Sequence, residues 1–187
     1  MKQLIAVTLL LLMTTPCLMA QKKELSQARS SIKSGKYAEA EKTLTALLKD
    51  STNRTNKRIW LAYYDAVLGQ YEQGNEKLYL KQQYDTASFF AKALQMLTIA
   101  ETLDSLTTDN RKSHSNQLNA LRPNIFNGGS FLLRKNKWVD AYRYYEAYLD
   151  CARQPLFQAY HYDSLDTRMP EAAYLLPIVV INSRTQC

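Results

Sequence analysis

The side chains best suited to chemistry are few. The 187-residue chain has two histidines, His114 and His161, and three cysteines, Cys17, Cys151 and Cys187. Catalytic and metal-binding proteins place such groups at defined spacing. HExxH holds zinc, paired CxxC holds a metal or a redox couple, GxSxG presents a nucleophilic serine, and a Gly-rich loop cradles phosphate. None of these patterns occurs. His114 lies among Ser, Lys and Asn, a setting that predicts a solvated surface side chain. Tyr160-His161-Tyr162-Asp163 is the one local polar–aromatic cluster. It predicts an ordered loop packed by its own tyrosines. The competing reading is a ligand contact, or an enzyme site around His161 and Asp163. Glu39 and Glu41, like Asp163 and Asp166, read as ordinary surface acids. No catalytic residue, metal site or cofactor is expected.

The elements that would position any site are helical. Hydrophobic residues make up 46% and charged residues 22%, enough to bury a core. Five Gly and five Pro are about half their usual shares. A β-sandwich or barrel needs more turn residues, and collagen-like, low-complexity and disulfide-dense chains are excluded.

Residues 1–20 read as a secretory signal peptide, with Lys2 in the n-region, an apolar run from Leu4 to Met13, Pro16, and Ala20 before Gln21. The run is shorter than the roughly 20 residues of a transmembrane helix, so a retained anchor is the lesser reading. Thr14-Thr15-Pro16 is a poor lipidation context for Cys17. The expected location is the periplasm or cell envelope. Export would permit a Cys151–Cys187 disulfide, but a small apolar Cys151 and a terminal Cys187 thiol is the preferred reading. No other stretch is apolar enough to span a membrane.

Net charge is +7, and its surplus is N-terminal, because residues 21–58 hold ten Lys/Arg against four Asp/Glu. Lys22, Lys23, Arg29, Lys33, Lys36, Lys42 and Lys49 have helical spacing, which predicts a solvated face. No nucleic-acid partner is expected of an exported chain.

Helices are expected over 22–33, from Tyr37 to Lys49, and from Lys57, weakened at Gly74-Asn75 before Leu78–Gln82. Asn53-Arg54-Thr55, between them, has the pattern of a glycan acceptor. The next helix, Tyr84–Leu106, carries two apolar stripes: Ala87, Phe90, Leu94 and Leu97, and Phe89, Ala93, Met96, Ala100 and Leu103. So wide an apolar arc predicts cover from two sides. A helix from Asn110 to Leu121 should precede a fresh one opened by Pro123. Inside the latter, Gly128-Gly129 would cost roughly 2 kcal/mol against Ala unless close packing compensates. Trp138–Ala152 is again helical, 153–168 is a longer connection, and Pro170 opens a last helical pattern.

Three places share a local design: a weak helix end, an aromatic, and Ala three residues on. They are Gly35-Lys36-Tyr37 with Ala40, Gln83-Tyr84 with Ala87, and Asn136-Lys137-Trp138 with Ala141. The aromatic should wedge against the preceding helix while the Ala lets two helices cross closely. This spacing resembles the second half of a tetratricopeptide repeat. Ile125, Gly128-Gly129 and Leu132 sit where that family places first-helix packing residues, with Pro155 as terminator. Tyr71, Gly74 and Leu78 match in the second copy, and Ala28 in the first. With the leader, Asn75–Lys81 and Pro123–Gly129, the chain looks like exported tetratricopeptide proteins of Bacteroidota. The aromatics are 47 and 54 residues apart, against a family period of about 34, so extra helical material must lie between pairs.

The fold expected is all-α: an irregular, tetratricopeptide-like array of helical hairpins (an α-solenoid). Pairs should fall around 22–49, 57–106 and 110–152, with an incomplete last repeat at 169–187. In that last stretch Pro177 should interrupt the helix before a β-prone run, Ile178–Ile181. Such a tail reads as a truncated or frame-shifted repeat, or as a segment that folds back and caps the array. The resemblance implies binding of a protein or peptide in a groove lined by first helices, with Tyr63, Tyr64, Tyr71, Asn124, Asn127 and Arg134 as candidates. The alternatives are a self-assembling envelope protein and a polysaccharide- or lipid-binding module using the basic N-terminal helices.

Overall fold

The computed structural model describes residues 21–184. Residues 1–20, expected as a leader and including Cys17, and Cys187 lie outside the described residues. Among the described residues all regular structure is helical. Helix α1 covers 21–33, α2 Tyr37–Leu47, α3 Lys57–Tyr79, α4 Thr86–Leu106, α5 Arg111–Arg134, α6 Trp138–Asp150, α7 Tyr162–Leu165 and α8 Met169–Arg184. Short 3-10 turns occupy Ser51–Asn53, Cys151–Arg153 and Pro155–Tyr160. The chain divides into two compact units, one ending at Gln70 and the other beginning at Tyr71, within α3.

The first unit is largely aliphatic, with Tyr64 the one fully buried aromatic among its described residues. Ala28 of α1, Ala40, Leu44 and Leu47 of α2, and Ile59, Ala62 and Ala66 of α3 form one buried cluster. Leu25, Ile32, Leu48 and Tyr63 close its edge. Each fully buried Leu or Ile contributes about 1.5–3 kcal/mol, and the alanines keep the helices near one another. The seven basic side chains of the N-terminal face are all exposed. Asn53 is buried and donates its Nδ2 to the Leu47 carbonyl at 2.9 Å, so this side chain locks the turn.

The second unit is aromatic. In α4 the stripe Phe89, Ala93, Met96, Ala100 and Leu103 is buried, while Ala87, Phe90 and Leu94 of the other are half-buried. Cover comes from two sides, as the wide arc predicts. The Phe89 ring stacks on Tyr71 at 4.8 Å, and Phe90 meets Phe131 of α5 at 5.7 Å. Helix α5 packs on α4 and α6, and α6 packs on α8.

Two elements differ from the sequence reading because tertiary contacts outweigh proline. Helix α5 runs unbroken through Pro123, so no fresh helix starts there. Pro123 removes one backbone donor, but it is exposed, and buried Leu121, Arg122, Ile125 and Phe126 hold the helix on both sides of it. Helix α8 likewise passes through Pro177, and the run Ile178–Ile181 is helical rather than β, with Ala172 and Val179 buried.

The glycine pair is compensated by close packing. A Cβ on Gly128 would lie 2.5 Å from the Tyr144 ring of α6 and 2.9 Å from Phe90 Cβ of α4, so its bare backbone serves two interfaces. The opening aromatics behave unequally. Tyr84 lies over Gly74 of the preceding helix, as expected, but Tyr37 lies over Gly69 of the following one. Ala40 and Ala141 are fully buried, and Ala87 is half-buried.

A backbone repeat lies beneath these motifs. Helices α1, α3 and α5 each end with one residue in the left-handed region: Gly35 (φ 74), Lys81 (φ 54) and Asn136 (φ 57). At each, the following N–H reaches back to the carbonyl five residues earlier: Lys36 to Ser31 at 2.8 Å, Gln82 to Lys77 at 2.8 Å, and Lys137 to Leu132 at 3.0 Å. This is the Schellman closure, which satisfies the last orphan carbonyls. Three hairpins thus turn on the same device.

Candidate functional site

Helix α5 is the spine on which the functional candidates stand, and Arg122 fixes its position. Leu118, Arg122, Ile125 and Gly129 share one buried stripe, so a guanidinium enters the core and is only 4% exposed. An unpaired charge there would be costly. Its plane lies between the rings of Tyr148 and Tyr162, with Cζ 3.7 and 3.8 Å from their centroids. Nη1 pairs with the Asp166 carboxylate, and Nη2 donates to the Tyr148 carbonyl at 3.0 Å. Tyr148 Oη also donates to Asp166, at 2.6 Å. Burial pushes Asp166 up, but the Tyr148 hydroxyl, the Arg122 guanidinium and the Arg168 amide outweigh it and hold the carboxyl below its usual value. Burial, then the Asp166 hydrogen bond, raises the Tyr148 phenol.

Asp166 is therefore not an ordinary surface acid. It ties the α7–α8 connection to α5 and α6. Sequence reasoning missed the knot because its members are far apart in the chain. A charged residue on an apolar helical stripe was the available signal for Arg122.

Beside this knot runs a row of polar side chains. Asn124 Nδ2 donates to Tyr71 Oη at 2.7 Å, Asn127 Nδ2 meets Asn124 Oδ1 at 3.5 Å, and Arg168 Nη1 meets Asn127 Oδ1 at 3.5 Å. The row joins α3, α5 and the segment leading to α8. Tyr71 and Asn124 are half-buried, while Asn127 and Arg168 are exposed. Burial raises the Tyr71 phenol, with the Asn124 hydrogen bond opposing it, so the hydroxyl is neutral at pH 7. The row offers amide donors and acceptors plus one guanidinium.

Three of the six groove candidates, Tyr71, Asn124 and Asn127, are thus brought together, and Arg168 joins them unforeseen. Arg134 is exposed near the end of α5. Tyr63 packs against the aliphatic core of the first unit, its ring 6.0 Å from that of Trp60. Tyr64 is only 1% exposed and is a core residue, so it lines no open groove.

His114 and Cys151 are structural. His114 is 8% exposed rather than solvated, because it shares the buried stripe of Leu118 and Leu121. Burial lowers its pKa against the opposing charge of Asp104. Cys151 is fully buried, its Sγ directed at the Ala147 carbonyl at 3.2 Å, and burial pushes the thiol up to about 12. The Tyr160–Asp163 cluster is an ordered connection packed by its tyrosines, as its composition predicts. Among the described residues, no group of three His, Cys, Asp or Glu side chains is placed to hold a metal ion. No helix there is long and apolar enough to cross a membrane. Comparison with family models, with curated proteins and with solved structures found no match in any of the three. What stands is the architecture: an all-α, helical-repeat-like scaffold of sequentially packed helices.

Proposed function

We propose that the chain is an exported, non-catalytic scaffold of the tetratricopeptide type that binds a protein or peptide through the face centred on Asn124 and Asn127. The hydrogen-bonded row Tyr71–Asn124–Asn127–Arg168 carries the reading, since it sets out backbone-matching groups across neighbouring helices. Export rests on the signal-like residues 1–20. The test is a random peptide library displayed against the full chain. Selected peptides should lose at least tenfold in affinity on Asn124→Ala with Asn127→Ala, and keep it on Lys42→Ala. Selected peptides that bind the double variant unchanged would rule out the face. The exposed basic side chains of the first unit support a second reading, binding of an acidic polysaccharide or lipid surface. That binding would fall steeply with salt.

A further inference from the structure

The connection between α6 and α8 does more than close the chain. Its 3-10 segment Pro155–Tyr160 faces the first two turns of α5, and an open cleft of about 840 Å³ lies between them. That volume falls within the roughly 300–1,000 Å³ of ligand sites. The wall is fixed. Leu156 and Phe157 are buried, and Tyr160 Oη donates to Asn116 Oδ1 at 2.6 Å. Tyr160 also stacks on Tyr162, their rings 5.6 Å apart and 9° from parallel. His161 follows with φ 48, in the left-handed region that residues with a Cβ adopt less readily than glycine.

The lining has two characters. Pro155, Leu156 and Ala159 give an apolar floor. Lys112 and His161, both exposed, give a basic and hydrogen-bond-donating rim. Arg111 also reaches the cleft, although Asp104 takes its Nε and Nη2 at 2.6 and 2.8 Å. Among the lining residues, all of them described, Asp109 is the only acid. The Asn124–Asn127 row does not use this surface. Asn116 and Asn124 are eight residues apart on α5, or about 12 Å along its axis.

We propose that the cleft binds a short acidic polypeptide segment. Its carboxylates meet Lys112 and the His161 ring N–H, and an apolar side chain rests on Pro155 and Ala159. With Arg111 taken by Asp104, the exposed Lys112 ammonium selects the sign of the ligand, and the floor selects an interleaved apolar residue.

The probe is a fluorescein-labelled nonapeptide alternating Glu with Leu and Phe, compared with its Lys counterpart, titrated against the full chain by anisotropy at low salt. The acidic peptide should bind saturably and the basic one should not. Lys112→Glu should weaken binding at least tenfold. Ala159→Trp, which fills the cleft without changing charge, should do the same. Lys22→Glu, and Asn124→Ala with Asn127→Ala, should leave affinity within twofold. Circular dichroism melts check each variant, and Gln158→Trp on the same wall replaces Ala159→Trp if that variant is unfolded. Equal weakening by Lys112→Glu and Lys22→Glu would overturn the site in favour of general attraction to a +7 chain. Loss on the double Asn variant alone would place the peptide on the row instead, and absence of saturable binding would also overturn the proposal.

Discussion

The two units of this chain hold their helices together by different means. In the first, Ala28, Ala40, Leu44, Leu47, Ile59, Ala62 and Ala66 meet as small aliphatic surfaces. In the second, Phe126, Tyr145 and Tyr148 meet edge to face at about 5.5 Å, and a buried Arg122 lies between two tyrosine rings. Aliphatic burial is non-directional and tolerates sliding. An ion pair sandwiched by rings has one geometry. The second unit is thereby specified more narrowly, and it is the unit that carries both the polar row and the cleft.

The sharpest way to break this contrast is at the charge. Arg122→Met should cost about 3–5 kcal/mol, because Asp166 and Tyr148 lose their partner in a largely buried site. Adding Asp166→Leu should recover at least half of it, since an apolar pair replaces the stranded charge. Leu44→Ala should cost about 2–5 kcal/mol, with no such rescue by a second substitution. The two tryptophans separate the readouts. Urea melts followed by Trp138 fluorescence in a Trp60→Phe background report the second unit, and Trp60 in a Trp138→Phe background reports the first.

Gly128→Ala comes next, at about 1–3 kcal/mol of overpacking. The added methyl must displace the Tyr144 ring and Phe90 together, so the Trp138 melt should shift to lower urea. Lys81→Gly should act in the opposite direction, stabilising by about 0.5–1 kcal/mol, because a left-handed closure is easier without a Cβ. Thermal melts of the full chain would register it.

The smallest effect is one of pH. The folded pKa of His114 lies below its ordinary 6.5, so below that pH the unfolded chain takes up the proton more readily. The stability contributed by the neutral imidazole is full above 6.5 and is lost as pH falls from there toward the folded value. Asp166, held below its ordinary 3.8, gives its loss only below that value. Melts between pH 7 and 5.5 should therefore show a decline that His114→Gln flattens.

What the sequence made legible follows the same division. Helical periodicity placed α2 and the buried face of α4, because an aliphatic core is written locally, every three or four residues. The compensation at Gly128-Gly129 was also readable, since paired glycines in a helix call for a close neighbour. Arg122 and His114 were not, although both fall on the stripe of Leu118 and Ile125. Local polarity argues for solvent, and for Arg122 only residues 26 to 47 positions away show otherwise. The continuity of α5 through Pro123 and of α8 through Pro177 was hidden for the same reason, as the contacts that hold those helices lie outside them. Asn124 and Asn127 are candidates in the sequence only through a family likeness, and their link to Tyr71 and Arg168 comes from side-chain geometry that no local pattern encodes.

The left-handed closures at Gly35, Lys81 and Asn136 have a consequence for phase. What recurs along this chain is punctuation, not length. The first helix of each hairpin is terminated by its own stop, and the second begins from an aromatic two or three residues later. A helix can therefore lengthen by a turn without disturbing the closure of its neighbour. Spacings of 47 and 54 residues between aromatics are then no fault in the array. They are the freedom of a pattern whose register is reset at every turn.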